Sequence, residues 1–346
     1  MKFIFLLGII GLLSFQTFSQ TTAEDFMKLG HQDDSIKDYK KAIKKYEEAI
    51  RLKPDDALAY NKKGLDEYNL GKTKDAIESF GKAVAFYPKY AEAFYNRALA
   101  EMKIPDGPKA LHDLDSSIDL NQYNPDAFFY RAFVKSKMNK PIDAIADYDQ
   151  AIDLKNDYIK AYFQRANLKM KLGKTVEALA DYNKEYSLLP DSANSDFFTK
   201  RANAKFKLQD YKGALNDYNS AIGLDDKNLE AYINRAATRL TVNDCQGALS
   251  DSETALKMEP KNTEALNFKG TAETGLKDYR DAIQDLNECI KLNPNYAQAY
   301  VNRAAAKYLS GDKKGACVDL YTADGMGDPM ANGLIDKNCG NDQIER

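Results

Sequence analysis

Histidines and cysteines are the scarce side chains in this sequence that could support chemistry. His31 and His112 lie far apart, and neither has a Cys or a carboxylate at the spacing of a metal site. The sequence also contains no glycine-rich phosphate loop and no nucleophile elbow. We therefore predict no catalytic residue, no metal site and no cofactor, and we interpret both histidines as surface or packed side chains.

The four cysteines could instead form disulfides: Cys245, Cys289, Cys317 and Cys339. Four cysteines allow three complete pairings in an oxidising compartment. A bridge between Cys317 and Cys339 would close a loop of about 20 residues and stabilise the C-terminal end by roughly 3 kcal/mol. Cys289 takes a position that is usually alanine, so we interpret it as a small buried hydrophobe. The sequence leaves open whether Cys317 and Cys339 are oxidised.

Arginine and aspartate recur together at a separation of 16 residues. The six pairs are Arg97 with Asp113, Arg131 with Asp147, Arg165 with Asp181, Arg201 with Asp217, Arg235 with Asp251, and Arg303 with Asp319. If the two positions lie on facing helices, each pair forms a partly buried salt bridge. Because such pairs add more to specificity than to stability, we interpret them as packing determinants and not as a ligand site.

The elements that position these pairs repeat every 34 residues. We place the repeats at 23–56, 57–90, 91–124, 125–158, 159–192, 195–228, 229–262, 263–296 and 297–330. Every copy has Ala at its twentieth position and Gly or Ala at its eighth, and eight copies have an aromatic residue at the fourth. Small residues at two such positions allow two helices to pack closely, and we expect the fourth-position rings to fill the space between helices.

The pattern resembles the tetratricopeptide repeat. In residues 57–90 the matching residues are Tyr60, Gly64, Tyr68, Gly71, Ala76, Phe80 and Pro88. The resemblance implies an all-α fold, a right-handed α-solenoid of about nine helix-turn-helix repeats across residues 20–330. We expect residues 328–346 to form a C-terminal cap and tail, with a short capping helix at 328–337.

Residues 1–19 differ from the repeats. Lys2 precedes an apolar run that ends in small polar residues, as in a secretory signal peptide. An uncleaved anchor is the alternative, but the run is about 13 residues and a bilayer span needs about 20. We therefore expect an exported protein, periplasmic or secreted, with no membrane insertion after signal cleavage. The net charge of −3 gives no indication of nucleic-acid binding.

The resemblance also implies a function. Tetratricopeptide repeats present a concave groove, lined by first helices, to a partner peptide or protein. We therefore expect a non-catalytic protein-binding scaffold that serves envelope assembly or secretion. A holdase-like chaperone for exported clients and an accessory subunit of an envelope enzyme are the alternatives. The sequence does not identify the partner or the oligomeric state.

We expect the groove to be lined by the second, fifth, sixth and ninth positions of first helices. The candidate binding residues are Tyr95, Asn96, Leu99, Phe129, Tyr130, Phe133, Phe163, Gln164, Asn167, Asn203 and Asn234. Exposed rings on a concave surface typically mark a binding site, although some could pack between neighbouring first helices. Some tetratricopeptide proteins grip a C-terminal carboxylate with Lys and Asn on three successive first helices. That pattern is absent here, since Glu92 and Glu264 fall at its positions.

Overall fold

The computed structural model describes residues 21–104 and 107–340, so the predicted signal peptide at 1–19 lies outside the described part. Within these residues the chain is all-helical, with nineteen α-helices, one short 3-10 helix and no strand. The predicted all-α architecture of helix-turn-helix repeats is therefore confirmed. The chain divides into two compact units, Met1–Leu154 and Lys155–Arg346.

The first unit contains four helical hairpins among its described residues. They are α1 (Ala23–Ser35) with α2 (Tyr39–Leu52), α3 (Ala57–Asn69) with α4 (Thr73–Phe86), α5 (Ala91–Glu101) with α6 (Gly107–Leu120), and α7 (Pro125–Lys137) with α8 (Pro141–Leu154). The two helices of a hairpin pack against each other, and each second helix also packs against the first helix of the next hairpin in this unit.

The second unit contains five hairpins and a terminal helix among its described residues. They are α9 (Ile159–Lys171) with α10 (Thr175–Leu188), α11 (Ser195–Lys207) with α12 (Tyr211–Leu224), α13 (Leu229–Thr241) with α14 (Cys245–Met258), α15 (Thr263–Leu276) with α16 (Tyr279–Leu292), α17 (Ala297–Leu309) with α18 (Lys313–Gly325), and α19 (Ala331–Asn338). Successive first helices contact one another from α9 to α17, so one side of this unit is made of first helices.

Aspartate residues set the start of several second helices. The side chains of Asp38, Asp210, Asp244 and Asp312 each accept a hydrogen bond from the backbone N–H three residues later. Each bond satisfies one of the N–H groups that the first helical turn leaves without a partner. The cap therefore fixes where the second helix begins and how its hairpin turns.

Small side chains let the two helices of a hairpin touch. Alanine at the twentieth position is at most 1% exposed in all nine hairpins. At the eighth position, a Cβ added to Gly30 would lie 2.5 Å from the Tyr46 ring, and one added to Gly64 would lie 2.7 Å from the Phe80 ring. The large side chain at the twenty-fourth position therefore crosses directly over the eighth.

The fourth-position rings pack against the core clusters, but the deepest burial occurs at another position. The most deeply buried large side chains are Tyr46, Phe80, Leu114, Tyr148, Tyr182, Tyr218 and Leu286, all at the twenty-fourth position. At the fourth position, Tyr162 and Phe128 are buried, but Tyr60 and Tyr300 are only half-buried. The second helix thus supplies the large buried side chain in most hairpins, an aromatic ring in five of them and leucine in three.

The Arg–Asp pairs bridge the two helices of a hairpin. Arg235 Nη2 lies 2.6 Å from Asp251 Oδ1, and Arg165 Nη2 lies 2.7 Å from Asp181 Oδ1, with a second bond from each Nε. The same two-bond geometry joins the pairs Arg97–Asp113, Arg131–Asp147, Arg201–Asp217 and Arg303–Asp319. Two parallel bonds give such pairs a fixed geometry as well as charge balance.

A second cation contacts most of these aspartates. Lys169 Nζ lies 2.8 Å from Asp181, and Arg239 Nη1 lies 2.7 Å from Asp251. Both cations occupy the eleventh position of their repeat, as do Lys135, Lys205 and Lys307. The 16-residue spacing predicted the pair but not this third member, although lysine or arginine recurs at the eleventh position of five repeats.

One buried carboxyl group breaks the repeat pattern at the joint between α10 and α11. Glu185 occupies a position where the other eight repeats have Ala, Ser or Cys. The chain then passes through the 3-10 helix Pro190–Ser192, which precedes the inserted Ala193-Asn194 pair. Oε2 of Glu185 has no hydrogen-bond partner among the described residues. Burial raises the pKa of Glu185 to about 8, against the opposing effect of the positive charge on Arg201.

The C-terminal cap is a helix fastened by a disulfide. The helix begins at Ala331, three residues later than predicted, because Asp328 forms a turn with the N–H groups of Met330 and Ala331. A disulfide joins Cys317 on α18 to Cys339 at the end of α19. The pair that the sequence marked as a candidate is thus bonded in the structure, while Cys289 is a buried free thiol.

We predict that Ala214→Leu destabilises the protein by about 1–3 kcal/mol, because Ala214 is fully buried at the contact between α11 and α12. Lys212→Leu on the same helix is the control, since Lys212 is exposed and this position already carries exposed apolar residues at Ile142 and Val176. Urea unfolding of both variants measures the difference. Equal losses of stability would contradict the packing described here.

We predict that Glu185→Gln stabilises the protein progressively as the pH rises from 5 to 8. A raised carboxyl pKa means that the folded chain keeps a proton that the unfolded chain releases near its ordinary value of 4.5. Stability is therefore lost as the pH rises towards 8, and glutamine removes that loss, worth about 1–3 kcal/mol at pH 8. Urea unfolding at pH 5, 6.5 and 8 measures it.

The exposed Glu253 supplies the control for this pH dependence. Glu253→Gln makes the same chemical change at an exposed position. A Glu185→Gln difference in unfolding free energy that depends on pH no more than the Glu253→Gln difference would show that Glu185 is ionised in the fold at neutral pH.

Candidate functional site

A cavity of about 640 Å³ opens on the first helices of the second unit. Helices α9, α11 and α13 provide most of its wall, and two tyrosines reach it from α10 and α12. The first-helix residues recur at the sixth, ninth, twelfth and thirteenth positions of the repeat. Steps of three or four residues lead from the sixth to the ninth position and from the ninth to both the twelfth and the thirteenth, which places them along one helix face. The lining residues are Gln164, Asn167, Met170, Lys171, Tyr182, Lys200, Asn203, Phe206, Lys207, Tyr218, Asn234 and Ala237.

The apolar part of the cavity consists of Met170, Phe206 and Ala237, beside the two tyrosine rings. Met170 and Phe206 belong to the same packed cluster as Tyr182 and Tyr218 and are only partly buried. A half-exposed aromatic ring and thioether in a concave wall suit the side chain of a bound molecule.

A hydrogen-bonded chain of side chains fixes the polar part. Asn203 Nδ2 donates to Glu230 Oε1 at 3.0 Å, and Asn234 Nδ2 donates to Asn203 Oδ1 at 3.0 Å. An ionised carboxylate only accepts hydrogen bonds, so Glu230 determines which end of the Asn203 amide faces it. The Asn203 carbonyl then faces Asn234 and determines the orientation of that amide as well.

Two buried tyrosines complete the polar part. Tyr218 donates its hydroxyl to Asn203 Oδ1, and Tyr182 donates to Asn167 Oδ1, both at 2.6 Å. Burial raises the pKa of both phenols, and the negative charge of Glu230 adds to this effect at Tyr218. Both hydroxyls therefore stay protonated at neutral pH and remain donors to the asparagine carbonyls.

Two amide groups of the cavity remain without a partner among the described residues. Asn167 uses its Oδ1 for Tyr182, which leaves the Nδ2 group without an acceptor. Asn234 uses its Nδ2 for Asn203, which leaves its Oδ1 without a donor. The cavity thus offers a hydrogen-bond donor on α9 and an acceptor on α13, with the apolar residues Met170 and Phe206 in the same wall.

Asparagines pair between neighbouring first helices at two other places. In the first unit, Asn96 Nδ2 donates to Asn61 Oδ1 at 3.0 Å, and Asn61 Nδ2 donates to Glu92 Oε1 at 3.2 Å. In the second unit, Asn302 Nδ2 donates to Asn267 Oδ1 at 2.8 Å. Asparagine pairs therefore join neighbouring first helices at several places in the structure. The pair formed by Asn203 and Asn234 differs from the other two because it lines an open cavity.

Four predicted groove residues line this cavity: Gln164, Asn167, Asn203 and Asn234. Phe163 does not line it. Its ring is half-buried and packs against Tyr182 and Phe197, with centroid separations of 6.0 and 6.4 Å. The fifth position of α9 is thus a packing position between neighbouring hairpins, which was the alternative interpretation of these rings.

The other predicted groove residues lie on first helices of the first unit: Tyr95, Asn96, Leu99, Phe129, Tyr130 and Phe133. The expectation of exposure is wrong for two of them. Phe129 is 8% exposed because its ring packs between Tyr130 and Tyr148, and Asn96 is 7% exposed because it bonds to Asn61. Tyr95, Leu99, Tyr130 and Phe133 are half-buried.

The residues that complete the cavity were not predicted from the sequence. Tyr182 and Tyr218 come from second helices, whereas the groove was expected to be lined by first helices. Lys171 and Lys207 occupy the thirteenth position, beyond the four positions considered for the groove. A signal was present, since four successive repeats have lysine there: Lys103, Lys137, Lys171 and Lys207.

No helix in residues 21–104 and 107–340 combines the length and the apolar run needed to cross a bilayer. In the same residues, no group of three or more His, Cys, Asp and Glu side chains has an arrangement that could hold a metal ion.

Comparison with protein families identifies the repeat. Residues 35–65 match a family described as TPR repeat, and residues 61–125 and 263–296 match families described as tetratricopeptide repeat. The last match coincides with the eighth repeat placed from the sequence. No curated protein matches the chain.

Solved structures share the fold. A tetratricopeptide repeat protein from Parabacteroides merdae ATCC 43184 is 18% identical with a TM-score of 0.52, over 72% of this chain and 98% of that one. Cut9–Hcn1 of the APC/C is 14% identical with a TM-score of 0.53, over 93% and 78%. YrrB, a TPR protein with an unusual peptide-binding site, is 22% identical with a TM-score of 0.50, over 54% and 95%. This chain is a tetratricopeptide repeat protein.

Proposed function

We propose that this protein is a non-catalytic scaffold that holds an extended segment of a partner protein in the cavity on α9, α11 and α13. Proteins of this repeat family typically act as protein-interaction scaffolds. The observation that carries the proposal is the pair of unpartnered amide groups, Asn167 Nδ2 and Asn234 Oδ1, in a wall with Met170 and Phe206.

Peptide main chain fits these groups. A peptide unit presents one C=O acceptor and one N–H donor, which match the free donor of Asn167 and the free acceptor of Asn234. An apolar side chain of the same segment can then contact Phe206 and Met170. Main-chain hydrogen bonds provide affinity in such a complex, while the apolar contact provides selectivity.

The asparagine amides of the cavity are already oriented before a partner binds, and this favours the proposed function. Glu230 and the two tyrosine hydroxyls already hold the asparagine amides in place. A partner therefore does not need to order these side chains when it binds, which lowers the entropic cost of association.

We also propose that the protein is exported and acts in the periplasm or outside the cell, in envelope assembly or secretion. The composition of residues 1–19 supports this localisation, because it resembles a signal peptide. The disulfide between Cys317 and Cys339 is in keeping with it, since such bonds persist in oxidising compartments.

A holdase-like chaperone for exported clients is the second candidate. Main-chain recognition through Asn167 and Asn234 does not depend on the sequence of the bound segment, and this feature favours a broad set of clients. A chaperone would bind many unrelated unfolded proteins, whereas a scaffold would bind one segment much more tightly than the rest.

We predict that Asn234→Leu raises the Kd for a bound peptide about tenfold, because a lost contact at a binding hot spot costs more than 1 kcal/mol. The probe is a ten-residue peptide, acetylated and amidated, selected by the purified protein from a random library. Fluorescence anisotropy measures the affinity.

Asn302→Leu provides a matched control. Asn302 makes the same bond to a neighbouring first helix but does not line the cavity. Asn234→Leu removes one side-chain hydrogen bond, worth about 1 kcal/mol of stability, whereas Asn302→Leu also removes the bond that Gln298 Nε2 donates to Asn302 Oδ1. The control should therefore lose at least as much stability as Asn234→Leu. Equal effects of the two variants on peptide affinity, or a library from which the protein retains no peptide, would contradict the proposed function.

A further inference from the structure

The cavity carries an excess of positive charge. Three lysines line it, Lys171, Lys200 and Lys207, and no aspartate or glutamate is among its lining residues. The whole chain has the opposite balance, with a net charge of −3. The charge of the cavity is therefore a local property that the composition of the chain does not explain.

Two of the three lysines are available to a ligand. Lys200 Nζ lies 2.9 Å from Glu230 and 3.7 Å from Asp196, so its charge is already balanced. Lys171 and Lys207 are exposed and have no ion pair among the described residues. The negative charge of Glu230 is paired with Lys200, and its carboxylate also accepts a hydrogen bond from Asn203. The ammonium groups of Lys171 and Lys207 are therefore the dominant charges at the cavity.

In the first unit, the lysines at the same thirteenth position of the repeat lie over aromatic rings. Lys103 Nζ lies 3.7 Å from the centroid of the Tyr68 ring, and Lys137 Nζ lies 5.3 Å from that of Phe133. Both cations therefore contact an aromatic face of their own unit. Lys171 and Lys207 have no such contact among the described residues, and each follows an apolar lining residue, Met170 or Phe206, in the chain.

We propose that the cavity selects an acidic partner segment, in which Asp or Glu side chains flank an apolar side chain. The inference rests on the proposed function, because it assigns the charge of the segment that this cavity binds. The apolar side chain contacts Met170 and Phe206, and the flanking carboxylates pair with Lys171 and Lys207. The partner needs no free C-terminus, since the two lysines can be reached by side chains within a chain.

Lys171 and Lys207 are exposed at the rim of the cavity, so each ion pair that they form with a bound segment adds modestly to affinity. Two exposed ion pairs together account for about a tenfold change in Kd, and salt weakens them. Complementary charge also excludes basic segments, because like charges placed together oppose binding. The lysines thus supply selectivity among segments that the asparagines alone would bind alike.

The test uses a random library of ten-residue peptides that are acetylated and amidated, so that no terminal carboxylate is present. The purified protein selects from the library at low salt, and the retained peptides are sequenced. We expect Asp and Glu to be enriched at least twofold over the input beside an apolar residue. A Lys171→Glu, Lys207→Glu double variant should lose this enrichment and favour Lys and Arg instead.

The control is the double variant Lys103→Glu, Lys137→Glu, which changes the net charge equally at the same repeat position of the first unit. It should select acidic peptides as the wild type does. Retained peptides without acidic enrichment, whose binding still depends on Asn234, would overturn this inference and leave the proposed function standing. The same holds if both double variants select alike. Retention of no peptide would overturn both.

Discussion

The candidate site depends on one packing constraint, the contact between the two helices of each hairpin at small side chains. Ala166 and Ala178 pack in one cluster with Tyr182, and Ala202 and Ala214 pack in it with Tyr218. Only because the first helix has a small residue there can the tyrosine ring cross it and bring its hydroxyl to an asparagine on the far face. A contact that stabilises the hairpin therefore also orients the binding groups.

Charged side chains have different roles inside the hairpins, on the first-helix face and at the rim of the cavity in the second unit. Inside the hairpins, arginine and a second cation surround a buried aspartate and fix how the helices meet, as at Asp217 and Asp251. On the first-helix face, Glu230 sets the direction of the asparagine chain. At the rim, Lys171 and Lys207 remain free for a ligand. The same side-chain types thus serve structure where they are buried and recognition where they are exposed.

The repeat pattern allowed much of the fold to be predicted from the sequence. Recurring alanine and glycine identified the hairpin contacts, and the 16-residue spacing identified the Arg–Asp bridges, because both signals depend on local helix geometry. The exposure of individual rings was harder to predict. Phe129 is buried because Tyr148, on another helix, is large enough to cover it. Its burial depends on three-dimensional neighbours that a one-dimensional period does not contain.

The cavity was only half predictable for the same reason. Gln164, Asn167, Asn203 and Asn234 lie on first helices at positions that the repeat already assigned to a groove. The contribution of Tyr182 and Tyr218 requires a side chain from the second helix to pass through the hairpin and reach the opposite face. A sequence period assigns a residue to a face, but it does not show how far a long side chain extends beyond that face.

The central claim is that the asparagine side chains of the cavity contact the bound segment. Side-chain amide resonances in two-dimensional ¹H–¹⁵N NMR spectra test it most directly, recorded with and without a saturating peptide from the amidated library. We predict that the Nδ2 resonances of Asn167 and Asn234 shift, while those of Asn267 and Asn302 stay in place. Shifts confined to Asn267 and Asn302, or to residues of the second helices, would contradict it.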